Sequence, residues 1–197
     1  THEPVDPVRY IGNRSTGKMG MALAEQARRR GAEVTLILGP SHLPVPRRVA
    51  CVHVETAAQM REAALEAFAD SDAAICAAAV ADYTPAHPAD HKLKKTYERL
   101  DRIDLVETAD ILADLSSKKG SRVVIGFAAE TDSVLEFARA KVLHKGCDTI
   151  VANDVSRADS GFGTDTNKAW IVTATGEEEL PTMSKIDLAD RILDLLV

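Results

Sequence analysis

The sequence predicts an α/β fold with a Rossmann-like, mostly parallel sheet that is flanked by helices. Short apolar segments of strand length alternate with longer segments of helical period, which is the pattern of parallel strands joined by helical crossovers. The alanine-rich run 73–81 is predicted to be the central strand, buried on both faces. Asp82 follows it, at the carboxyl end where open sheets bind ligands, although a solvated Asp after a core strand gives the same pattern.

The elements before the central run follow from apolar periodicity and glycine positions. A strand at 8–11 leads through a glycine-bearing turn into a helix at 19–30, which Gly31 ends. The next elements are strands at 33–38 and 50–54 and a helix at 56–69. We interpret the start without Met, in a proline-bearing segment, as a domain cut from a longer protein or a processed start.

The turn between the first strand and the first helix has most of the spacing of a P-loop. Gly12, Gly17 and Lys18 fit, but Met19 stands where a P-loop needs the Ser or Thr that binds magnesium, so we exclude a P-loop NTPase. The turn is then either a phosphate site at a helix amino terminus or an ordinary cap made by one of its hydroxyl residues, Ser15 or Thr16.

The segment 83–107 interrupts the alternation of strands and helices. It carries charges, scattered apolar residues and no long helix, so we assign it to a flap or dimerisation arm of a single domain that spans 1–197. An extended strand at 102–106 would need a partner for its edge groups, which predicts a homodimer.

Strands and helices resume after the arm. Thr108 is predicted to cap a helix at 108–119, with Ala109 and Asp110 in its first turn. The remaining elements are strands at 122–127, 149–152 and 169–173, a helix at 133–145, and a terminal helix from 184.

Polar residues follow three of the predicted parallel strands, and parallel strands end at the same edge of a sheet. These residues are Asp82, Glu130 and the pair Asn153 and Asp154. Together with a lysine-rich arm they indicate a binding site at this edge.

Composition and charge limit the classes of protein. Hydrophobic residues make up 45% and charged residues 27% of the 197, as in globular domains, and no run approaches the roughly 20 apolar residues of a membrane span. Without a signal peptide, we expect a cytoplasmic protein. A net charge of −6 argues against nucleic acid as the main partner. The cysteines Cys51, Cys76 and Cys147 lack C-x-x-C spacing and are interpreted as reduced thiols, and no metal ligands are assigned.

Several sequence blocks resemble phosphopantothenoylcysteine synthetase of the bacterial, CTP-using type, which is commonly fused to a flavin-dependent decarboxylase. In chain order the blocks are Glu3-Pro-Val-Asp-Pro-Val-Arg-Tyr-Ile-Gly-Asn13, Ser15-Thr-Gly-Lys-Met-Gly20, Ala78-Ala-Val-Ala-Asp-Tyr83, Lys92-Leu-Lys-Lys95, Gly126-Phe-Ala-Ala-Glu-Thr131 and Ala152-Asn-Asp-Val155. The chain departs from the family's common pattern at Thr16 and at Thr108 and Ala109, where Ser and Asn-Pro are usual.

The resemblance implies a ligase that joins 4′-phosphopantothenate to L-cysteine and cleaves CTP to CMP and pyrophosphate through an acyl-cytidylate. Mg²⁺ would be bound mainly through the CTP phosphates. Asn13 and Lys92 would carry the chemistry, Asn13 beside the acyl-cytidylate and Lys92 at the phosphates, and Arg9, Asn13 and Ala79 would bind substrate. The implied nucleotide site consists of Cys76, Ala77, Ala78, Asp82, Lys92, Thr108, Ala109, Asp110, Ile111, Phe127, Lys141 and Lys145.

Two alternatives use the same fold. A Rossmann-type NAD(P)-dependent reductase is disfavoured, because no G-x-G-x-x-G opens a helix and the strand at 33–38 is followed by Gly39 where an acidic residue is expected. A non-catalytic nucleotide sensor would use the same pocket, and fold alone does not separate it from an enzyme.

Overall fold

The computed structural model describes residues 1–98, 100–157 and 159–196, and its elements alternate much as the sequence predicts. The strands are β1 (His2–Pro4), β2 (Tyr10–Gly12), β3 (Thr35–Leu38), β4 (Ala50–His53), β5 (Ala73–Cys76), β6 (Tyr83–Pro85), β7 (Leu105–Glu107), β8 (Val123–Glu130), β9 (Thr149–Asp154), β10 (Thr166–Asn167), β11 (Ala169–Thr173), β12 (Glu177–Glu179) and β13 (Met183–Ser184). The helices are α1 (Lys18–Arg29), α2 (Ala57–Phe68), α3 (Ile111–Ser117), α4 (Val134–Lys145) and α5 (Lys185–Leu193), followed by a 3-10 turn at Asp194–Leu196.

The main sheet has five strands in the order β12, β11, β9, β8, β5. Strands β5, β8 and β9 run parallel, whereas β11 pairs antiparallel with both β9 and β12. The predicted α/β class with a largely parallel sheet between helices is therefore confirmed, with two strands added at one side through antiparallel pairing.

The alanine-rich strand is not at the centre of this sheet, so that prediction is wrong. Among the described residues β5 pairs only with β8, and its four residues are half-buried because one edge has no hydrogen-bonded strand. Strands β3 and β4 pair parallel with each other in a separate two-stranded sheet. Strand β5 also ends at Cys76, so residues 77–82 form a loop.

The two faces of the main sheet bury two different hydrophobic clusters. In β8, Val124 packs with Leu115 of α3 on one face, whereas the next residue, Ile125, packs with Met19 and Leu188 on the other. Successive strand residues point to opposite faces, so a strand covered on both sides is apolar at nearly every position. Helices α2, α3 and α4 thus cover one face, and α1 and α5 cover the other.

Helix starts explain two differences from the sequence prediction. Thr56 caps α2 through a capping box with Gln59, as the predicted start at 56 requires. Helix α3, however, is capped by the carboxylate of Asp110, so Thr108 lies before the helix. Helix α1 has Gly17 at its N-cap position in a left-handed conformation (φ 82°), so neither Ser15 nor Thr16 is the N-cap residue, and the Thr16 hydroxyl accepts only a long bond of 3.5 Å from the N–H of Lys18.

The arm predicted at 83–107 starts and ends as an antiparallel strand pair, β6 with β7. The predicted strand at 102–106 lies instead at Leu105–Glu107, and position 99 of the arm lies outside the described residues. No helix in the described part of the chain has the length and apolar character needed to cross a membrane.

Gly126 of β8 tests how tightly the sheet packs on α3. A Cβ at this position would lie 2.5 Å from Leu112 Cδ2 and 2.7 Å from Ile150 Cδ1. We expect Gly126→Ala to lower the free energy of unfolding by about 1–3 kcal/mol, since a filled core must shift to accept a methyl group. Gly20→Ala, where a Cβ meets no atom within 4 Å, should instead be neutral or stabilise by about 0.5–1 kcal/mol. Urea denaturation of both variants measures the difference, and equal effects would contradict it.

Candidate active site

The loop 77–82, which follows β5, is the centre of the candidate site. The side-chain amide of Asn13 donates from Nδ2 to the carbonyl oxygens of Ala79 and Val80, both at 3.1 Å. Thr108 holds the other end of the loop, because its hydroxyl donates to Ala81 O at 2.6 Å and its backbone N–H donates to Asp82 O at 2.9 Å. Predicted site residues that are far apart in sequence thus meet at one loop.

The hydrogen bonds of Asn13 define how its amide is oriented. Both acceptors are carbonyl oxygens, so the nitrogen must face the loop and the amide oxygen must face away from it. Ala78 is exposed in the same loop, and its small side chain leaves the backbone accessible to a ligand.

The second group of predicted residues lies around the start of α3 and the face of α4. Lys145 forms an ion pair with Asp110, and Lys141 donates to Phe127 O at 3.2 Å. Partial burial opposes ionisation of Asp110, but the Lys145 ammonium and the N–H of Ala113 outweigh it and hold the pKa of Asp110 below its usual value. Both lysines are half-buried. Together with Asp110 they form a group that has two ammonium charges and one carboxylate charge.

Cys76, at the end of β5, is a neutral thiol. Burial, followed by the proximity of Cys147 and Asp110, raises the pKa of Cys76 to about 12. A thiol must ionise to act as a nucleophile, so Cys76 lines the site and does not attack a substrate at neutral pH. The other predicted contacts here are Ala77 in the loop, exposed Ala109 before α3, and Ile111, which is buried as the first residue of α3.

Lys92 lies on the arm and is exposed. Its neighbour His91 bonds to Asp90 and to Glu98, both at 2.7 Å, and these two carboxylates raise the pKa of His91 above its usual value. Glu98 also accepts from the N–H of Lys94 at 3.1 Å. These bonds close the chain around Lys92 into a compact turn.

Arg9, a candidate for binding the substrate phosphate, contacts the protein itself. It donates from Nε to Asp6 at 2.9 Å and from Nη2 to Leu93 O at 3.0 Å. Its side chain remains 41% exposed, so the predicted phosphate contact stays a prediction.

Sequence reasoning missed a second layer of residues that supports the first turn. Lys18 donates to Asp165 at 2.7 Å and to Gly163 O at 2.8 Å, and Thr16 donates to Phe162 O at 2.7 Å. The loop that they touch is itself held by Lys185, which is buried and donates to three neutral oxygens of that loop. Between 145 and 147 residues separate Thr16 and Lys18 from their partners in this loop, so no local pattern could reveal these contacts.

Asp6 was missed as well, although a local signal existed. An Asp before Pro commonly accepts backbone N–H groups in a turn, and here it accepts from Val8 and Arg9.

The described residues contain no group of three or more His, Cys, Asp or Glu side chains placed to hold a metal ion.

The arrangement is suited to a phosphorylated ligand. It combines a loop with an accessible backbone, one amide oxygen, a lysine pair with net positive charge and an exposed lysine on a tethered arm. Such a site can bind and orient a phosphorylated ligand and neutralise its charge, and its thiol, Cys76, is not ionised at neutral pH.

Comparison with known proteins assigns the chain to a family. Residues 1–197 match the model of the DNA/pantothenate metabolism flavoprotein C-terminal domain. The chain is 48% identical over 195 residues to the coenzyme A biosynthesis bifunctional protein CoaBC of Bacillus subtilis, covering 98% of this chain and 48% of that protein. It is 44% identical over 200 residues to CoaBC of Escherichia coli K12, covering 100% and 49% of the two chains. The chain therefore spans about half the length of the curated relatives it matches.

A solved structure agrees with the fold. The crystal structure of the C-terminal domain of a CoaBC protein matches with a TM-score of 0.82 and 40% identity, covering 99% of this chain and 90% of that one.

Proposed function

The chain belongs to the family of DNA/pantothenate metabolism flavoprotein C-terminal domains, and from this premise we propose that it ligates 4′-phosphopantothenate to L-cysteine in coenzyme A biosynthesis. The observation that carries the proposal is the meeting of Asn13 with the loop 77–82 beside a sheet edge that also holds the Lys141 and Lys145 pair. We further propose CTP as the co-substrate, cleaved to CMP and pyrophosphate.

The proposed chemistry requires activation of a carboxylate. A carboxylate does not acylate an amine at neutral pH until one of its oxygens becomes a good leaving group, and attack on the α-phosphate of CTP would supply that group. The developing charge lies on phosphate oxygens, where aimed cations contribute most. Lys141 and Lys145 are half-buried, which strengthens their attraction for phosphate, and Lys92 would approach from the arm.

Asn13 would act on the acyl group. With its nitrogen committed to the loop, the amide oxygen can accept a hydrogen bond from the pantothenate portion or from the incoming cysteine amine. No covalent enzyme intermediate is needed, in keeping with the neutral thiol of Cys76.

The other proposed partners follow the same reasoning. Mg²⁺ would be held mainly by the CTP phosphates and would neutralise their charge, since it keeps several waters and needs few protein ligands. The bifunctional relatives support a longer protein in which a flavin-dependent decarboxylase domain is fused to this one. The cytoplasm is the proposed compartment, because all three cysteines are free thiols.

Pyrophosphate release tests the function and the choice of nucleotide. We expect phosphopantothenate to trigger pyrophosphate release from CTP, with a higher kcat/KM than for ATP. This expectation rests on the resemblance of Lys92-Leu-Lys-Lys95, and backbone groups near exposed Ala78 and Ala109 would contact the edge of the pyrimidine. Lys92→Gln should lower the rate about a hundredfold, as loss of one aimed cation does, whereas Lys118→Gln, a control at an exposed lysine that ends α3, should not. A nucleotide sensor would release no pyrophosphate, and equal use of ATP would contradict CTP preference.

A second prediction separates the two half-reactions. Asn13→Asp places a negative charge beside the acyl phosphate and turns an oxygen toward the carbonyls of Ala79 and Val80. We expect this variant, without cysteine, to release pyrophosphate and to hold a phosphopantothenoyl cytidylate, because cysteine capture fails while the nucleotide lysines remain. Mass spectrometry detects that intermediate, and a variant that turns over cysteine normally would exclude the role of Asn13.

We also propose a homodimer formed through the arm. The arm and the neighbouring hairpin expose apolar side chains of β2, β6 and β7, which include Tyr10 (55%), Tyr83 (47%) and Val106 (49%). Strand β1 of the hairpin contacts β6 of the arm, and exposed apolar side chains in such a region favour association.

Light scattering at micromolar concentration should give about twice the chain mass of 21.2 kDa. Val106→Asp should shift the protein to the monomer, because it buries a charge in the contact, whereas Leu143→Asp, at an exposed leucine of α4, should not. A monomeric wild type would refute the proposal.

A further inference from the structure

We propose that Asp6 is a positioning residue that, with Arg9, fixes the base of the arm around Lys92 relative to the strand that leads into Asn13. The inference deepens the proposed ligase function and rests on it.

Asp6 is almost fully buried, with 2% of its surface exposed, and four different donors surround it. Its Oδ1 accepts from the N–H groups of Val8 (2.8 Å) and Arg9 (2.9 Å). Its Oδ2 accepts from the Arg9 guanidinium, at 2.9 Å from Nε, and from the N–H of Leu93 at 3.2 Å. The Arg9 guanidinium, helped by these N–H groups, holds the pKa of Asp6 well below its usual range.

Hydrogen bonds hold the arm at two residues, one on each side of Lys92 in the sequence. At Leu93, Asp6 accepts from the N–H while Arg9 donates to the carbonyl oxygen at 3.0 Å, so both backbone groups of one residue are held. At Ala89, the N–H donates to Val5 O at 3.0 Å. Lys92 lies between these points, so the position of its backbone is set by the turn that joins β1 to β2.

The same hairpin sets the position of Asn13, which follows β2 directly. Strand β1 is fixed to the start of α2, because the buried carboxylate of Glu3 accepts from the N–H of Ala57 at 2.8 Å. The hairpin is therefore a common support for two residues that we assign to different half-reactions. Loss of the Asp6 charge should loosen Lys92 and leave the bonds of Asn13 to its loop intact.

Hydrogen exchange tests the contact itself, without reference to activity. In Asp6→Asn one acceptor oxygen becomes an NH₂ group that faces N–H donors, so we expect the amide of Leu93 to exchange about tenfold faster or more. Asp194→Asn is the matched control, since it removes a carboxylate that pairs with Arg30 and Arg191 far from the arm in the fold. Unchanged exchange at Leu93 in Asp6→Asn would overturn the proposal.

A double-mutant cycle tests the functional consequence. For CTP-dependent pyrophosphate release we expect Asp6→Asn to lower kcat about tenfold, yet to lower it less than about twofold in a Lys92→Gln background, because the two changes remove one contribution. If Asp6→Asn acted on the structure independently of Lys92, it would lower kcat by the same factor in the wild-type and Lys92→Gln backgrounds. That result would overturn the positioning role. Thermal melts of each variant separate this effect from loss of stability.

Arg9→Gln provides a second variant in case Asp6→Asn does not fold. It removes the contact to Leu93 O but leaves the backbone N–H groups that donate to Asp6 in place. Its effect on kcat should also be smaller in the Lys92→Gln background than in the wild type. A rise in the KM for phosphopantothenate with additive effects would instead assign Arg9 to substrate binding and overturn the inference. If the wild type releases no pyrophosphate from CTP, the ligase proposal fails, while the exchange at Leu93 still decides whether Asp6 holds the arm.

Discussion

Burial of β8 and β9 on both faces is the constraint on which the rest of the structure depends. Their side chains alternate between two hydrophobic clusters, so helices must cover both sides of the sheet and each crossover must return the chain to the same edge. Cys76, the last residue of β5, pairs with Gly126 of β8, so the loop 77–82 starts beside the carboxyl-terminal half of β8. The site exists at this edge because the sheet is parallel there.

Charge in the site is balanced locally, but not completely. Asp110 pairs with Lys145, whereas Lys141 contacts only a carbonyl oxygen through its ammonium group among the described residues. Two ammonium groups and one carboxylate leave one positive charge in a half-buried position, where water screens it weakly. A bound phosphate would complete this balance, so this part of the protein is suited to an anionic group although the net charge of the chain is −6.

The sequence predicted most helices and strands within a few residues, because their apolar periodicity is strong and glycine or hydroxyl residues mark their ends. It failed where tertiary pairing decides the outcome. The apolar composition of the alanine run 73–81 predicts a strand at the centre of the sheet. In the described part of the chain, however, β5 pairs only with β8, at one of its edges, and ends at Cys76. The blocks containing Asn13 and Lys92 could be found by resemblance, whereas the roles of Lys185 and Asp165 depend on contacts between distant segments that no local pattern encodes.

The alanines of the loop 77–82 explain why its support comes from elsewhere in the chain. Small side chains let a ligand approach the backbone, but they cannot hold the loop, so its carbonyl oxygens need donors from other segments. Asn13 and Thr108 supply them. The hydroxyl of Thr108 donates to Ala81 O, and its backbone N–H donates to Asp82 O. The second of these bonds does not depend on the side chain at position 108, so any residue except proline can make it there.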